Sequence, residues 1–134
     1  DERNQLLRLV SQFLKPGGIF IFDVLNDKRL EQKSSPKNWE VAKNGFWKNS
    51  PYIALSESFL YNEEKVILFQ HTVIDENEKI NSYRFWTHFF SNEDLNKLLL
   101  NHPFQNHRFY ENVLPEGSLW NGDNVTFCKT FNLK

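Results

Sequence analysis

Hydrophobic and polar positions divide the chain into segments of different period. From Asp1 to Leu14 apolar residues recur three and four apart, with Leu6, Val10 and Phe13 on one stripe and Leu7 and Leu14 widening it, so the spacing predicts a helix. Asp1 and Glu2 suit the positive start of that helix and Lys15 its negative end. Lys15-Pro16-Gly17-Gly18 then stops it. Ile19-Phe20-Ile21-Phe22 follows without alternation, which predicts a strand from Ile19 to Leu25 buried on both faces, as in parallel sheets covered by helices. Ligands of such sheets bind beyond the carboxyl ends of the strands. Asp23 and Asn26 stand there and are candidate site residues.

The pattern decays between Asp27 and Pro51. Lys33-Ser34-Ser35-Pro36 reads as a loop, and Asn44-Gly45 as a turn that pairs Trp39-Glu40-Val41 with Phe46-Trp47 in a short hairpin. A long connection with two Trp suits a lid or binding loop better than a linker, because linkers are poor in aromatics. Three strand-like runs follow, Tyr52 to Tyr61, Lys65 to Asp75 and Lys79 to Phe90, joined by short polar turns. They predict an antiparallel meander. In its third strand, period two puts Tyr83, Phe85 and Phe89 on a face expected in the core. Arg84, Trp86 and His88 share the other face, expected to line a cleft. Ser91 with Asp94 resembles a capping box opening a second helix, whose stripe is Leu95, Leu98 and Leu99 and whose stop is Pro103. Gln105 to Leu114 and Asn124 to Asn132 read as two closing strands, linked through Pro115, Gly117, Trp120 and Gly122.

At 134 residues the chain is long enough for one domain with a real core, here read as 1–26 (helix and central strand), 27–90 (loop and antiparallel insertion) and 91–134 (helix and two closing strands). Its 13 Phe and 4 Trp predict a core and some surface built from rings. With 16 basic and 17 acidic residues intermixed, no basic block supports nucleic-acid or anionic-membrane binding. The apolar runs are too short to span a bilayer. The single Cys128 lies in a strand pattern and suits a buried thiol in a reducing, cytoplasmic setting. The absence of any Met, and an opening directly on a helix, suggest a fragment of a longer product.

Chemistry-bearing motifs are few. The four His have neither zincin spacing nor thiolate partners, so no metal site is expected. His71 and His88 are placed to face each other across adjacent strands, without an obvious carboxylate. The Lys15-to-Gly18 turn precedes a strand, whereas phosphate-cradling loops follow one and open a helix. Glu57, midway along an apolar strand, is either paired with a cation or pointed at a cleft.

The segment LLRLVSQFLKPGGIFIFDVLN, Leu6 to Asn26, resembles the second half of the class I S-adenosylmethionine (SAM)-dependent methyltransferases, where a helix, a K-P-G-G turn and an apolar strand form the fourth helix and fifth strand. Phe90 to Phe104 is similar to that family's following helix, with Pro103 where Gly is usual, and two antiparallel strands close both. The meander, with Tyr83-Arg84-Phe85-Trp86 in its last strand, resembles the substrate-cap insertion of one small-molecule subgroup. The resemblance implies an α/β fold (α+β for this piece alone): the C-terminal half of a Rossmann-like sheet, a meander and two main helices. It implies strands Ile19 to Leu25, Asn124 to Asn132 and Gln105 to Leu114 side by side in that order.

It further implies a SAM-dependent methyltransferase whose acceptor is a small molecule, with Asp23 near the cofactor and Asn26, Arg84, Trp86 and His88 near the substrate. The glycine-rich cofactor loop of the family has no counterpart here, so the piece by itself is expected to be inactive. Its Ile19–Leu25 edge, where a fourth strand would pair, is expected to drive self-association. The rival reading is a stand-alone module whose aromatic sheet binds an apolar ligand or a protein.

Overall fold

A computed structural model describes residues 2–34, 37–115 and 124–133. The chain order is α1 (Glu2–Phe13), β1 (Ile19–Asn26), α2 (Leu30–Lys33), β2 (Asn38–Ala42), β3 (Tyr52–Tyr61), β4 (Val66–Asp75), β5 (Ile80–Phe90), α3 (Asn92–Leu100), β6 (Phe104–Tyr110) and β7 (Val125–Asn132). The expected α/β class is observed. Asp1, the Ser35-Pro36 part of the expected loop, and Gly117, Trp120 and Gly122 lie outside the described residues. The chain falls into two compact units, residues 1–28 with 89–134, and residues 29–88.

In the first unit β7 is the middle strand, antiparallel to β1 from Ile19↔Phe131 to Leu25↔Val125 and antiparallel to β6 on its other side. This is the strand neighbourhood expected from the resemblance. Phe89 and Phe90, the tail of β5, pair in parallel with Leu25 and Asn26. One sheet face is covered: Leu7, Val10 and Leu14 around α1 and Leu98 and Leu99 of α3 pack with Phe20, Phe22, Phe104, Phe109 and Cys128. The other face of β1 is not, since Ile19 is 48% and Ile21 61% exposed. The expectation of burial on both faces is therefore corrected; an unbroken apolar run marks a strand that one helical layer covers here from one side only. The stripe of α1 is also rotated from the expected one. Leu7 is buried, whereas Leu6 and Phe13 are exposed. Leu7, Val10 and Leu14 share a helical stripe as regular as the predicted one, and only the sheet decides between them.

The helix stop works through glycine and the far end of the chain. Gly17 takes φ +70, a left-handed conformation that a side chain would strain, and its N–H donates to the Asn132 carbonyl. The Asn132 amide Nδ2 donates to the carbonyls of Ser11 and Leu14, both at 3.0 Å, and so satisfies two orphan acceptors at the end of α1. At α3, Ser91 Oγ accepts from the Asp94 N–H while the Asp94 carboxylate accepts from the Ser91 N–H; the predicted capping box is present. Leu95 and Leu99 are fully buried, as the stripe predicted.

Cys128 is buried in this core, and burial pushes its thiol up to about 11. A thiol-reactive dye at pH 8 is expected to label the native chain at least a hundredfold more slowly than the urea-unfolded chain. Labelling at comparable rates would show that Cys128 is accessible.

In the second unit β2, β3, β4 and the body of β5 form an antiparallel sheet in that order. The meander appears with boundaries within a residue of those predicted. The small hairpin does not: β2 pairs with β3, Trp39 opposite Leu55, and not with Phe46-Trp47. Asn44-Gly45 does make a tight local turn, with the Gly45 N–H donating to the Lys48 carbonyl. A Cβ on Gly45 would come within 2.5 Å of the Tyr52 hydroxyl, so a side chain there would displace that hydroxyl. Trp47 leaves the turn to pack on Tyr52, Ala54 and Val73, because an indole gains more from covering a sheet face than from pairing at an edge.

Candidate functional site

Cross-strand register sorts the meander into two faces. The covered face carries Ser56, His71 and Tyr83 in one row across β3, β4 and β5, with Phe85 in the next row opposite Phe69. Trp47 lies over it, stacked on Tyr83 at 5.1 Å between centroids and tilted on His71 at 4.9 Å, while His71 meets the edge of Phe85 at 5.9 Å. The Asp75 carboxylate fixes this loop. Its Oδ2 accepts from Lys48 Nζ, and its Oδ1 accepts from the N–H groups of Asn77 and Lys79, each at 3.0 Å. One buried acid thereby ties the β4–β5 turn to the residue beside Trp47.

Polar groups converge on His71. Ser56 Oγ and His71 Nδ1 share a hydrogen bond of 2.8 Å, and Tyr52 donates its hydroxyl to Glu40 Oε1 at 2.9 Å on the same face. Burial lowers the His71 pKa, with the negative Glu40 acting in the opposite sense. At neutral pH the imidazole is uncharged, with one ring nitrogen able to accept a proton or hydrogen bond. A neutral histidine walled by Trp47, Tyr83 and Phe85 beside a hydroxyl suits a small ligand carrying both an apolar body and a polar hydrogen. Pattern reading missed this group because Trp47 reaches it from a loop. The signal present in the sequence was the Tyr83/Phe85 alternation, expected in the core and here left 40% and 48% exposed.

The predicted site residues fall as follows. Arg84, Trp86 and His88 share one face of β5 as expected, and all three are exposed on it. Arg84 Nε donates to Gln70 Oε1 at 2.7 Å, and Gln70 Nε2 donates to Glu57 Oε1 at 2.9 Å. Lys37 Nζ is 3.5 Å from Glu57 Oε2. Glu57 is thus both paired with a cation and part of the lining of a shallow hollow of about 340 Å³ with Trp39, Leu55 and Thr72. Trp86 lies 5.8 Å from the Tyr61 ring. His71 and His88 do not face each other, since His71 is opposite Tyr83 and His88 opposite Val66, on different faces.

Asp23 and Asn26 belong to the first unit. Asp23 is exposed on the uncovered side of β1. Asn26 is buried, donating Nδ2 to Thr126 Oγ1 at 3.3 Å and accepting the Lys28 N–H on Oδ1 at 3.1 Å. Its amide shapes the end of β1. Among the described residues no cluster of three or more metal-ligating side chains occurs, and no helix is long and apolar enough to cross a membrane.

The histidines also set a pH dependence. Burial lowers the pKa of His71, of His102 (held at 2.8 Å by Asn4, with Arg8 adding to the effect) and of His107 (2.8 Å from Thr130 Oγ1). A folded-state pKa below the unfolded value means that the unfolded chain binds more protons, so stability rises with pH across the window beneath about 6.5 and is fully present above it. The urea midpoint is expected to be lower at pH 5 than at pH 7.5. The Asp75 carboxyl, held down chiefly by Lys48, adds a further loss only below the ordinary carboxylate range. Equal midpoints at pH 5 and 7.5 would contradict the histidine contribution.

No family model and no curated protein matches the chain. Solved structures do. A SAM-dependent methyltransferase from Clostridium acetobutylicum matches 96% of this chain and 50% of its own, with a TM-score of 0.66 and 15% identity. The CcbJ methyltransferase from Streptomyces caelestis matches 100% of this chain and 51% of its own, at 0.67 and 14%. SAM-bound CalS10, an amino pentose methyltransferase from Micromonospora echinaspora involved in calicheamicin biosynthesis, matches 96% and 50%, at 0.63 and 12%. The chain therefore has the fold of SAM-dependent methyltransferases over about half the length of each.

Proposed function

We propose that this chain is the C-terminal portion of a SAM-dependent methyltransferase acting on a small molecule, with the meander as its substrate cap. The observation that carries the reading is the near-complete match of the chain to half of three such enzymes. The order β1, β7, β6 supports it as the closing end of the larger sheet. In this reading the acceptor lies on the covered face of the meander, its apolar body against Trp47 and Tyr83 and its hydroxyl or amine held by the Ser56–His71 pair. The described residues do not fit SAM by themselves, because Asp23 offers one exposed carboxylate and no glycine-rich loop follows a strand among them. Cofactor binding belongs to a preceding half, which would pair along the Ile19–Val24 edge of β1; without it the edge is a self-association site.

The test is transfer of labelled methyl from SAM to a panel of small amines and alcohols by a protein that includes the preceding half. Transfer is expected, with KM for the acceptor raised at least tenfold in His71→Ala and KM for SAM unchanged. No SAM binding by the longer protein would overturn the enzyme reading. Unchanged kinetics in His71→Ala would overturn the placement of the acceptor.

A further inference from the structure

The open face of the meander is apolar where a solvated sheet is normally polar. Trp39, Leu55, Phe59 and Trp86 are each more than 40% exposed on it. An antiparallel sheet with one solvated face alternates apolar-in with polar-out, and this one does not. Across the middle of the face runs a polar row with opposite charges on either side of its centre, the acid also lying 3.5 Å from Lys37 Nζ. Glu57 on β3 and Arg84 on β5 flank Gln70 on β4, each in direct register with it.

From this arrangement we infer that the open face is the contact surface of a homodimer, two copies packed sheet to sheet about a twofold axis along β4 at Gln70. Such an axis exchanges β3 and β5, so Glu57 of each copy faces Arg84 of the other and the single row supplies two ion pairs. The same operation sets Phe59 against Trp86 on either side of the buried Leu68. The pairing tolerates the usual offset between packed sheets. Glu57 and Arg84 sit about 4.8 Å from the axis, one strand spacing, so a rotation of about 30° moves them by only about 2.4 Å. Arg84 donates Nε to Gln70 and is exposed, and the Glu57 side chain keeps 27% of its surface exposed.

Three strands of ten residues cover about 480 Å² in projection, or roughly 1,000 Å² over both copies, the lower end of specific interfaces. The dimer is therefore a weak, micromolar one. A protein of different chemistry would not match this row with itself, and self-complementarity is what favours a second copy.

Sedimentation velocity of the 134-residue chain over a range of micromolar concentrations tests this. Arg84→Glu and Glu57→Arg each set like charges against each other and are expected to weaken dimerisation at least tenfold. The double variant is expected to return to within threefold of the original. A bismaleimide is expected to join two copies of Gln70→Cys and not of Asn81→Cys, on the opposite face. A monomer at every concentration would overturn the proposal. So would association indifferent to both reversals, as contact through the β1 edge would give, or a folded double variant that stays weak.

Discussion

Replacing Leu99 by alanine is expected to cost about 2–5 kcal/mol of stability, the range for a large aliphatic side chain removed from a closed core. Leu99 is fully buried in α3 and packs in the same cluster as Leu7, Phe104 and Cys128. Its chain neighbour Leu100 is 64% exposed. Leu100→Ala therefore removes the same atoms from solvent contact and is expected to change stability by no more than about 0.5 kcal/mol. Urea denaturation of the two variants side by side checks the assignment, because helix propensity favours alanine equally in both. Equal losses would mean that α3 does not dock by the Leu95/Leu99 stripe.

Asn132→Ala is expected to cost about 2–4 kcal/mol, more than its size suggests. The amide gives both of its hydrogens to carbonyls at the end of α1. Leaving a buried carbonyl unpaired costs about 1–3 kcal/mol, and a methyl group in place of the amide leaves two. Asn132→Asp conserves shape but cannot donate from an ionised carboxylate, so it is expected to be at least as harmful. If Asn132→Asp proved neutral, the donor role of the amide would be wrong.

These two residues differ in how far the sequence announced them. Leu99 was legible, because a capping signal at Ser91, a stripe of leucines and a terminal proline all point to one helix. The meander was legible for the same reason, since period two and short polar turns agree. Asn132 was not, because its partners lie at the other end of the chain and no local pattern marks an amide that caps a distant helix. The choice between Leu6 and Leu7 in α1 was equally closed to inspection, as both stripes have helical spacing and only the sheet selects one. In β7 the residues that look polar, Thr126, Thr130 and Asn132, are more buried than Phe127 and Phe131. Their donors are occupied, Thr130 Oγ1 by the Gln105 carbonyl and the Asn132 amide Nδ2 by the Ser11 and Leu14 carbonyls, and Thr126 Oγ1 accepts from Asn26, so hydropathy alone points to the wrong face.

The candidate site followed the same division. Period two grouped Arg84, Trp86 and His88 correctly on one face, yet it carries no information on what covers that face. The ring group around His71 needed Trp47, which a turn and a salt bridge deliver from outside any periodic element. Loops place functional side chains through tertiary contacts, and those contacts are not written in local spacing.

The amide of Asn132 has a temporal meaning as well. It joins Ser11, 121 residues earlier, across a unit whose two segments are separated by residues 29–88. On a ribosome adding roughly 5–20 residues per second, α1 and β1 emerge on the order of ten seconds before β7 exists to pair with them. The meander, continuous in the chain, has all its strands by then and can fold first. The helix α1 and strand β1 wait for the last strand, which brings Cys128 to the cluster around Phe20 and Phe22. Shortening that wait, by circular permutation that places β7 ahead of α1, would convert the slowest contact of the fold into one of its earliest.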